Sequence, residues 1–177
     1  RVYRYPDLGR GGNSTTNSTY DGKRITVTTR EDDEAVTLWV DVELQLGPGV
    51  GVRIKELAGE THVSGADGPV AVENGWGDIT VADVRGEVKL DTGSGDVEVR
   101  RQHGPVSIDT GSGDVLVEEV SGAVDADTGS GDVQVTRAAG KVRVDTGSGD
   151  VELSGVAGPI DIDTGSGDAR IADATGS

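Results

Sequence analysis

The hexapeptide Asp-Thr-Gly-Ser-Gly-Asp occurs five times, starting at Asp91, Asp109, Asp127, Asp145 and Asp163, at a constant 18-residue spacing with no insertion. Self-similarity at a fixed period marks a repeat architecture, in which each unit buries its apolar face only against its neighbours. A degenerate copy, Glu73 to Asp78, lies one period earlier, and a weaker one, Lys55 to Glu60, one period before that. Take the first Asp as position 1 of a coil. Positions 3, 5 and 14 are then Gly in every coil from residue 73 onward, and with Gly59 and Gly68 they hold 20 of the 29 glycines. Glycine is therefore turn punctuation here, and the high Gly content does not signal disorder.

The apolar residues keep the same period. Position 7 reads Ile79, Val97, Val115, Val133, Val151, Ala169, and position 9 reads Val81, Val99, Val117, Val135, Leu153, Ile171. Position 16 reads Val88, Val106, Val124, Val142, Ile160, and position 18 reads Leu90, Ile108, Ala126, Val144, Ile162. One variable, mostly polar residue separates the members of each pair, which is the alternation of a strand. The residues are mostly β-branched, as strands prefer. Each coil predicts two short strands, at about positions 6–10 and 16–1. Identical strands recurring once per period stack as neighbours, so the expected fold is all-β: a parallel β-solenoid whose coils rise about 4.8 Å each. The alternative is an antiparallel meander of nine-residue hairpin arms. Aromatics make up only 3% of the chain, and Phe is absent. Branched aliphatics fill so thin an interior without rings.

The first third differs. Residues 1–23 are polar and rich in Gly, Asn, Ser and Thr, and are expected to form a flexible arm. Residues 24–30 alternate as a strand. Residues 35–46 alternate too, with Val36, Leu38, Val40, Val42, Leu44 and Leu46 on one face. Residues 24–54 are expected as an antiparallel N-terminal cap, with Trp39 in a structural role, and residues 55–177 as the solenoid.

Composition excludes several function classes. Lys plus Arg is 16 and Asp plus Glu is 32, a net charge of −16. Nucleic acid needs clustered cations, so neither DNA nor RNA is an expected partner. No apolar run approaches the roughly 20 residues of a membrane span. The chain has no Cys, so disulfides, thiol catalysis and Cys-based zinc sites are excluded. The two histidines, His62 and His103, sit at unrelated coil positions and read as surface residues.

The run VDVELQLGPGVGVRIKELAGETHVSG, followed by repeated V-x-V-D-T-G-S-G-D-V-x-V, resembles a bacterial and archaeal β-strand-repeat family of unknown function whose members carry an adhesin label. The resemblance covers about residues 35–177. It implies a β-solenoid of the cell envelope or exterior, with no catalytic residues.

Asp-Thr-Gly-Ser is also the active-site string of aspartic proteases, which need two such aspartates sharing a proton across a cleft. Five copies in one stacked ladder do not make that cleft. Calcium is a stronger rival. Asp-bearing Gly-rich turns bind Ca²⁺ in nonapeptide β-rolls of the form G-G-x-G-x-D-x-U-x. This chain is one residue short between Gly and Asp, and has only one such turn per period. Its repeats nevertheless place two columns of carboxylates beside the turn: Asp91, Asp109, Asp127, Asp145 and Asp163 at position 1, and Asp96, Asp114, Asp132, Asp150 and Asp168 at position 6. Neighbours one coil apart repel by roughly 0.9 kcal/mol per pair even at water's dielectric constant. Two things could offset this. One is a turn hydrogen bond, in which the Asp side chain accepts a backbone N–H two residues on. The other is a set of hard cations between the carboxylates. Calcium is thus the one cofactor the pattern admits.

Other columns follow the repeat. Thr at position 2 lacks the second Thr two residues away that a flat ice-binding array would need. Arg100-Arg101 fall one period before Glu118-Glu119, and Glu119 one before Arg137, so opposite charges are expected on adjacent coils. Trp76 replaces Ser in a turn. It either packs against the N-terminal segment or serves as an exposed anchor for a partner. Asn13 and Asn17 head glycosylation triplets, which matter only in an exported chain.

A solenoid leaves open strand edges that need covers. The sequence ends at Ala174-Thr175-Gly176-Ser177, position 15 of a coil, where the next inward strand would begin. It begins at Arg1, which suits export with a signal removed. The expected function is that of a non-enzymatic extracellular structural protein, assembling head to tail with copies of itself into a filament or adhesin scaffold. In that arrangement the N-terminal arm or the 24–46 sheet covers the last coil of the next copy. The alternative is a monomeric cell-envelope binding module whose Asp-rich turn edge takes calcium or a surface glycan.

Overall fold

A computed structural model describes residues 17–20, 25–28 and 48–176. The chain divides into two units, Arg1–Gly47 and Pro48–Ser177. In the first, β1 (Asn17–Tyr20) pairs antiparallel with β2 (Ile25–Thr28). One strand of this hairpin falls in the stretch expected as an arm, the other in the expected cap. The alternating run Val36 to Leu46, Trp39 with it, and Asn13 lie outside the described residues.

The second unit is a parallel β-solenoid of about seven coils with two strands each. In chain order the strands are β3 (Val52–Ala58), β4 (Thr61–Ser64), β5 (Val70–Trp76), β6 (Ile79–Ala82), β7 (Val88–Thr92), β8 (Val97–Gln102), β9 (Val106–Thr110) and β10 (Val115–Val120). They continue as β11 (Val124–Thr128), β12 (Val133–Ala138), β13 (Val142–Thr146), β14 (Val151–Ser154), β15 (Ile160–Thr164) and β16 (Ala169–Ala172). The odd strands stack in chain order into one seven-stranded sheet and the even strands into another. Every pairing in the solenoid is parallel and offset by one full period, as in Val117↔Val135 and Asp127↔Asp145, which excludes the meander.

Between the sheets lie the four expected aliphatic columns. Val81, Val99, Val117, Val135 and Leu153 at position 9 are each 0% exposed. Burying one such side chain contributes about 1.5–3 kcal/mol, and the columns continue unbroken from coil to coil.

The coil also buries two columns that the expected strand limits left out. The odd strands run on through position 2, and Thr92, Thr110, Thr128 and Thr146 there are 1–2% exposed. Position 2 continues the inward phase of positions 16 and 18. Threonine has nearly the shape of valine, so its methyl can pack while its hydroxyl donates to a turn carbonyl, as Thr92 Oγ1 does to Ser94 O at 3.3 Å. The Thr column is therefore core, not a surface array. Asn74 takes the same place in its coil and is 5% exposed.

The second column is position 12: Val84, Gln102, Val120, Ala138 and Val156, all 0–2% exposed. Strict alternation from position 9 would turn position 12 outward. The phase changes at position 11, which adopts the left-handed conformation in every coil: Gly65, Asp83, Arg101, Glu119, Arg137, Gly155 and Asp173, with φ between 51° and 68°. One left-handed residue reverses the pleat, as in a bulge, and returns the chain to the core.

Candidate functional surface: the acidic turn edge and the last coil

The position-6 aspartates form a ladder of hydrogen bonds between coils. The backbone N–H of Asp96 donates to Asp78 Oδ1 at 2.9 Å. Asp114 donates in the same way to Asp96, and Asp132 to Asp114, both at 2.9 Å. Asp150 donates to Asp132 and Asp168 to Asp150, both at 2.8 Å. The expected acceptance from two residues on is not what holds these carboxylates. The donor is the equivalent residue of the following coil, because the turn brings the next coil's amide directly above each side chain. The bond two residues on occurs instead at Asn74, whose Oδ1 accepts from the Trp76 N–H at 3.2 Å.

The position-1 aspartates are paired in register, Asp91↔Asp109↔Asp127↔Asp145↔Asp163. Burial and then the like charges of Asp145 and Asp109 push the Asp127 carboxyl above its ordinary value, against the pull of Arg143. Arg143 reaches Asp125 and Asp145 at 3.4 Å each. So the two columns differ: position 6 has a backbone donor for each carboxylate from Asp78 to Asp150, and position 1 relies on solvent and a few cations. Among the described residues no group of three or more His, Cys, Asp or Glu is arranged to hold a metal ion.

Ion pairs between coils follow the expected rule with one change. Arg100 reaches Glu118 at 3.3 Å and Arg137 reaches Glu119 at 3.0 Å. Arg101 turns the other way and binds Asp83 through Nε and Nη2, both at 2.7 Å. That fork holds the Asp83 carboxyl below its usual range and raises the Arg101 guanidinium. At the first coil, Lys55 and Arg53 both bind Glu73 and hold its carboxyl down.

Trp76, which stands over Ala58, is 59% exposed, and Leu57, the neighbour of Ala58 in that preceding coil, is 74% exposed. His62 and His103 are exposed as expected. Asn17 opens β1. Ile171 stands in the position-9 column, where Leu153 below it is fully buried, yet it is 52% exposed. β16 and β15 each end their sheet's strand order, with a described neighbour on one side only.

A family model described as Toastrack DUF4097 matches residues 9–174. No curated protein and no solved structure matches the chain.

Proposed function

The chain belongs to the Toastrack DUF4097 family, and we propose that it is a non-enzymatic extracellular structural protein that stacks end to end with copies of itself into a filament or adhesin scaffold. The observation that supports this reading is the stack itself, in which every strand pairing is parallel and offset by one full period, so that one coil is a template for an identical next one. A contact between unlike ends that repeats by translation does not close, and so builds a fibre. The extracellular setting rests on the resemblance to envelope proteins set out above. Sedimentation and electron microscopy across protein concentration, salt and calcium test the reading. Fibres or a rising mean mass are expected, and monodisperse 18.1 kDa particles under all conditions would sink it.

A second reading is a monomeric envelope module that uses the turn edge for calcium or a glycan, with Trp76 as its anchor. The raised Asp127 carboxyl favours it, since a divalent cation between position-1 aspartates would relieve their repulsion. Calorimetric titration with Ca²⁺ giving no heat and no gain in melting temperature removes the calcium arm.

A further inference from the structure

We propose that Asp67-Gly68 is a self-modification site, at which Asp67 converts to isoaspartate through a cyclic imide closed by the Gly68 amide, and that the conversion weakens the coil stack there. The proposal is independent of whether copies assemble.

The fold itself creates this pair. Position 14 is glycine from Gly68 onward because the coils touch there. A Cβ at Gly86 would come 2.8 Å from the Gly68 carbonyl carbon, and one at Gly68 would come 2.7 Å from the Val50 oxygen. Whatever stands at position 13 therefore precedes a glycine. That residue is Arg85, His103, Ser121, Ala139, Ala157 and Thr175 in the following coils, and Asp67 in the coil of β4. Glycine has no side chain to obstruct attack by its own amide nitrogen. The ten turn aspartates are followed instead by Thr at position 2 and by Val or Ala at position 7, and the β-branched residues crowd that approach.

Asp67 is exposed in a bend between β4 and β5. Among the described residues no ion pair or hydrogen bond engages its carboxyl, and the Gly68 N–H has no backbone acceptor. Asn74-Gly75 supplies the contrast, since asparagine before glycine closes the same ring with loss of ammonia and is the more reactive pair in an open chain. Asn74 is 5% exposed inside β5. Its Nδ2 donates to Gly59 O at 2.9 Å and to Gly77 O at 3.3 Å, and its Oδ1 accepts from the Trp76 N–H at 3.2 Å. Its main-chain carbonyl accepts from the Gly93 N–H at 3.1 Å. The stack thus clamps the pair that is faster by chemistry and leaves the slower one able to react. The other Asp-Gly pair, Asp21-Gly22, lies outside the described residues.

In the reaction the Gly68 nitrogen attacks Cγ of the protonated Asp67 carboxyl. The amide proton and the carboxyl hydroxyl leave as water, and a five-membered imide forms. Water then opens the ring. Breaking the bond from nitrogen to Cγ restores Asp67, whereas breaking the bond to the main-chain carbonyl leaves isoaspartate, with the chain running through Cγ. No atom is gained or lost overall. The product inserts Cβ into the main chain, longer there by about 1.5 Å. The carbonyl that accepts from the Gly49 N–H at 2.6 Å becomes a carboxylate. Gly68 has no spare room between Val50 and Gly86. The neighbouring rungs, Val52 N–H to Pro69 O and Val70 N–H to Glu87 O, both 2.8 Å, must shift with it. A coil held only by its neighbours loses stability where those rungs fail.

Peptide mapping of the full chain tests this after long incubation near neutral pH, with a folded sample beside one unfolded in guanidinium. Isoaspartate is read by resistance to a protease that cuts before Asp, and by methyl transfer from S-adenosylmethionine with an isoaspartyl methyltransferase. The folded chain is expected to gain isoaspartate at residue 67 and to keep Asn74 intact. The unfolded chain is expected to react at Asn74 first. Asp67→Glu, which would need a six-membered ring, is expected to start from the wild-type melting curve and to keep it. Wild type is expected to gain a second, lower transition that grows with the isoaspartate fraction. If only the unfolded chain forms isoaspartate at residue 67, or if Asn74 reacts as fast as Asp67 in the folded one, the site is wrong. If isoaspartate forms but aged wild type and aged Asp67→Glu melt alike, its effect on the stack is wrong.

Discussion

Single residues decide the local geometry of each coil, and two of them make the point by contrast. Gly131, at position 5, has φ +147°, and a Cβ built there would run into the Gly113 carbonyl of the coil below. Gly155, at position 11, has φ +68°, and the nearest atom to its Cβ would be Arg137 Cγ at 3.5 Å. Backbone clashes cannot relax without separating coils, whereas a left-handed residue with free space costs only about 1–2 kcal/mol. Gly131→Ala is therefore expected to lose at least about 3 kcal/mol, and Gly155→Ala about 1 kcal/mol, in chemical denaturation. The tolerance at position 11 is already visible in Asp83, Arg101, Glu119, Arg137 and Asp173, all left-handed without glycine. A second residue-scale prediction concerns pH. Asp127 faces Asp109, Asp145 and Asp125, with Arg143 as the opposing cation, and its carboxyl titrates above its ordinary value. The folded state thus holds this proton more tightly than the unfolded state. Its ionisation costs stability as pH rises from the unfolded carboxylate range, near 4, through the folded value. Asp127→Asn should raise the melting temperature at pH 7, and the gain should vanish when the melt is repeated below about pH 4.

At the scale of the element, the position-6 ladder is a hydrogen-bonded edge built from side chains. Each carboxylate in it serves the amide of the next coil, and Asp132 serves the Asp150 N–H at 2.8 Å. Two substitutions separate the bond from the charge. Asp132→Ala leaves that N–H without its acceptor and is expected to cost about 1 kcal/mol. Asp132→Asn keeps an acceptor oxygen and removes a charge from between Asp114 and Asp150, so it is expected to equal or exceed wild type in melting temperature at low salt. Equal losses from both substitutions would mean that the charge, not the bond, matters at this edge. The strands themselves are longer than alternation alone implies. The odd strands gain position 2 and several even strands reach position 12, so each full coil adds Thr or Asn at one turn and a small apolar residue or Gln102 at the other to the core.

For the whole molecule the solenoid is a one-dimensional stack, in which each coil touches only the coils above and below it. Removing residues 109–126 deletes one full period and rejoins Ile108 to Asp127, so every column keeps its register. That deletion is expected to fold cooperatively, with a melting temperature lower by about a few degrees. Removing residues 109–117 deletes half a period and sends strands of one sheet into the other. It is expected to abolish the cooperative melt in circular dichroism. Equal behaviour of the two deletions would contradict the coil as the unit of stability.

The period, the four aliphatic columns, the parallel two-sheet solenoid and the pairing of charges one coil apart were all legible in the sequence. A repeat without insertions leaves a strand only one neighbour register, and side-chain alternation then assigns the faces. The ten turn aspartates could be located in two columns, but their roles could not. Whether a carboxylate meets an amide within its own turn or one full coil away depends on how the turn lays one coil over the next, and only the tertiary structure places those amides. The left-handed residue at position 11 was hidden for a similar reason. Its identity varies among Gly, Asp, Arg and Glu, because the strain is met by the stack and not by one residue type, so no composition signal marks it. Its trace was the apolar run Val84, Val120, Ala138, Val156 at position 12, which alternation assigned to the outside. Sequence periodicity thus determined what repeats, and the three-dimensional stack decided which polar atoms are satisfied and which turn residues return to the core, because both depend on contacts between residues a full coil apart.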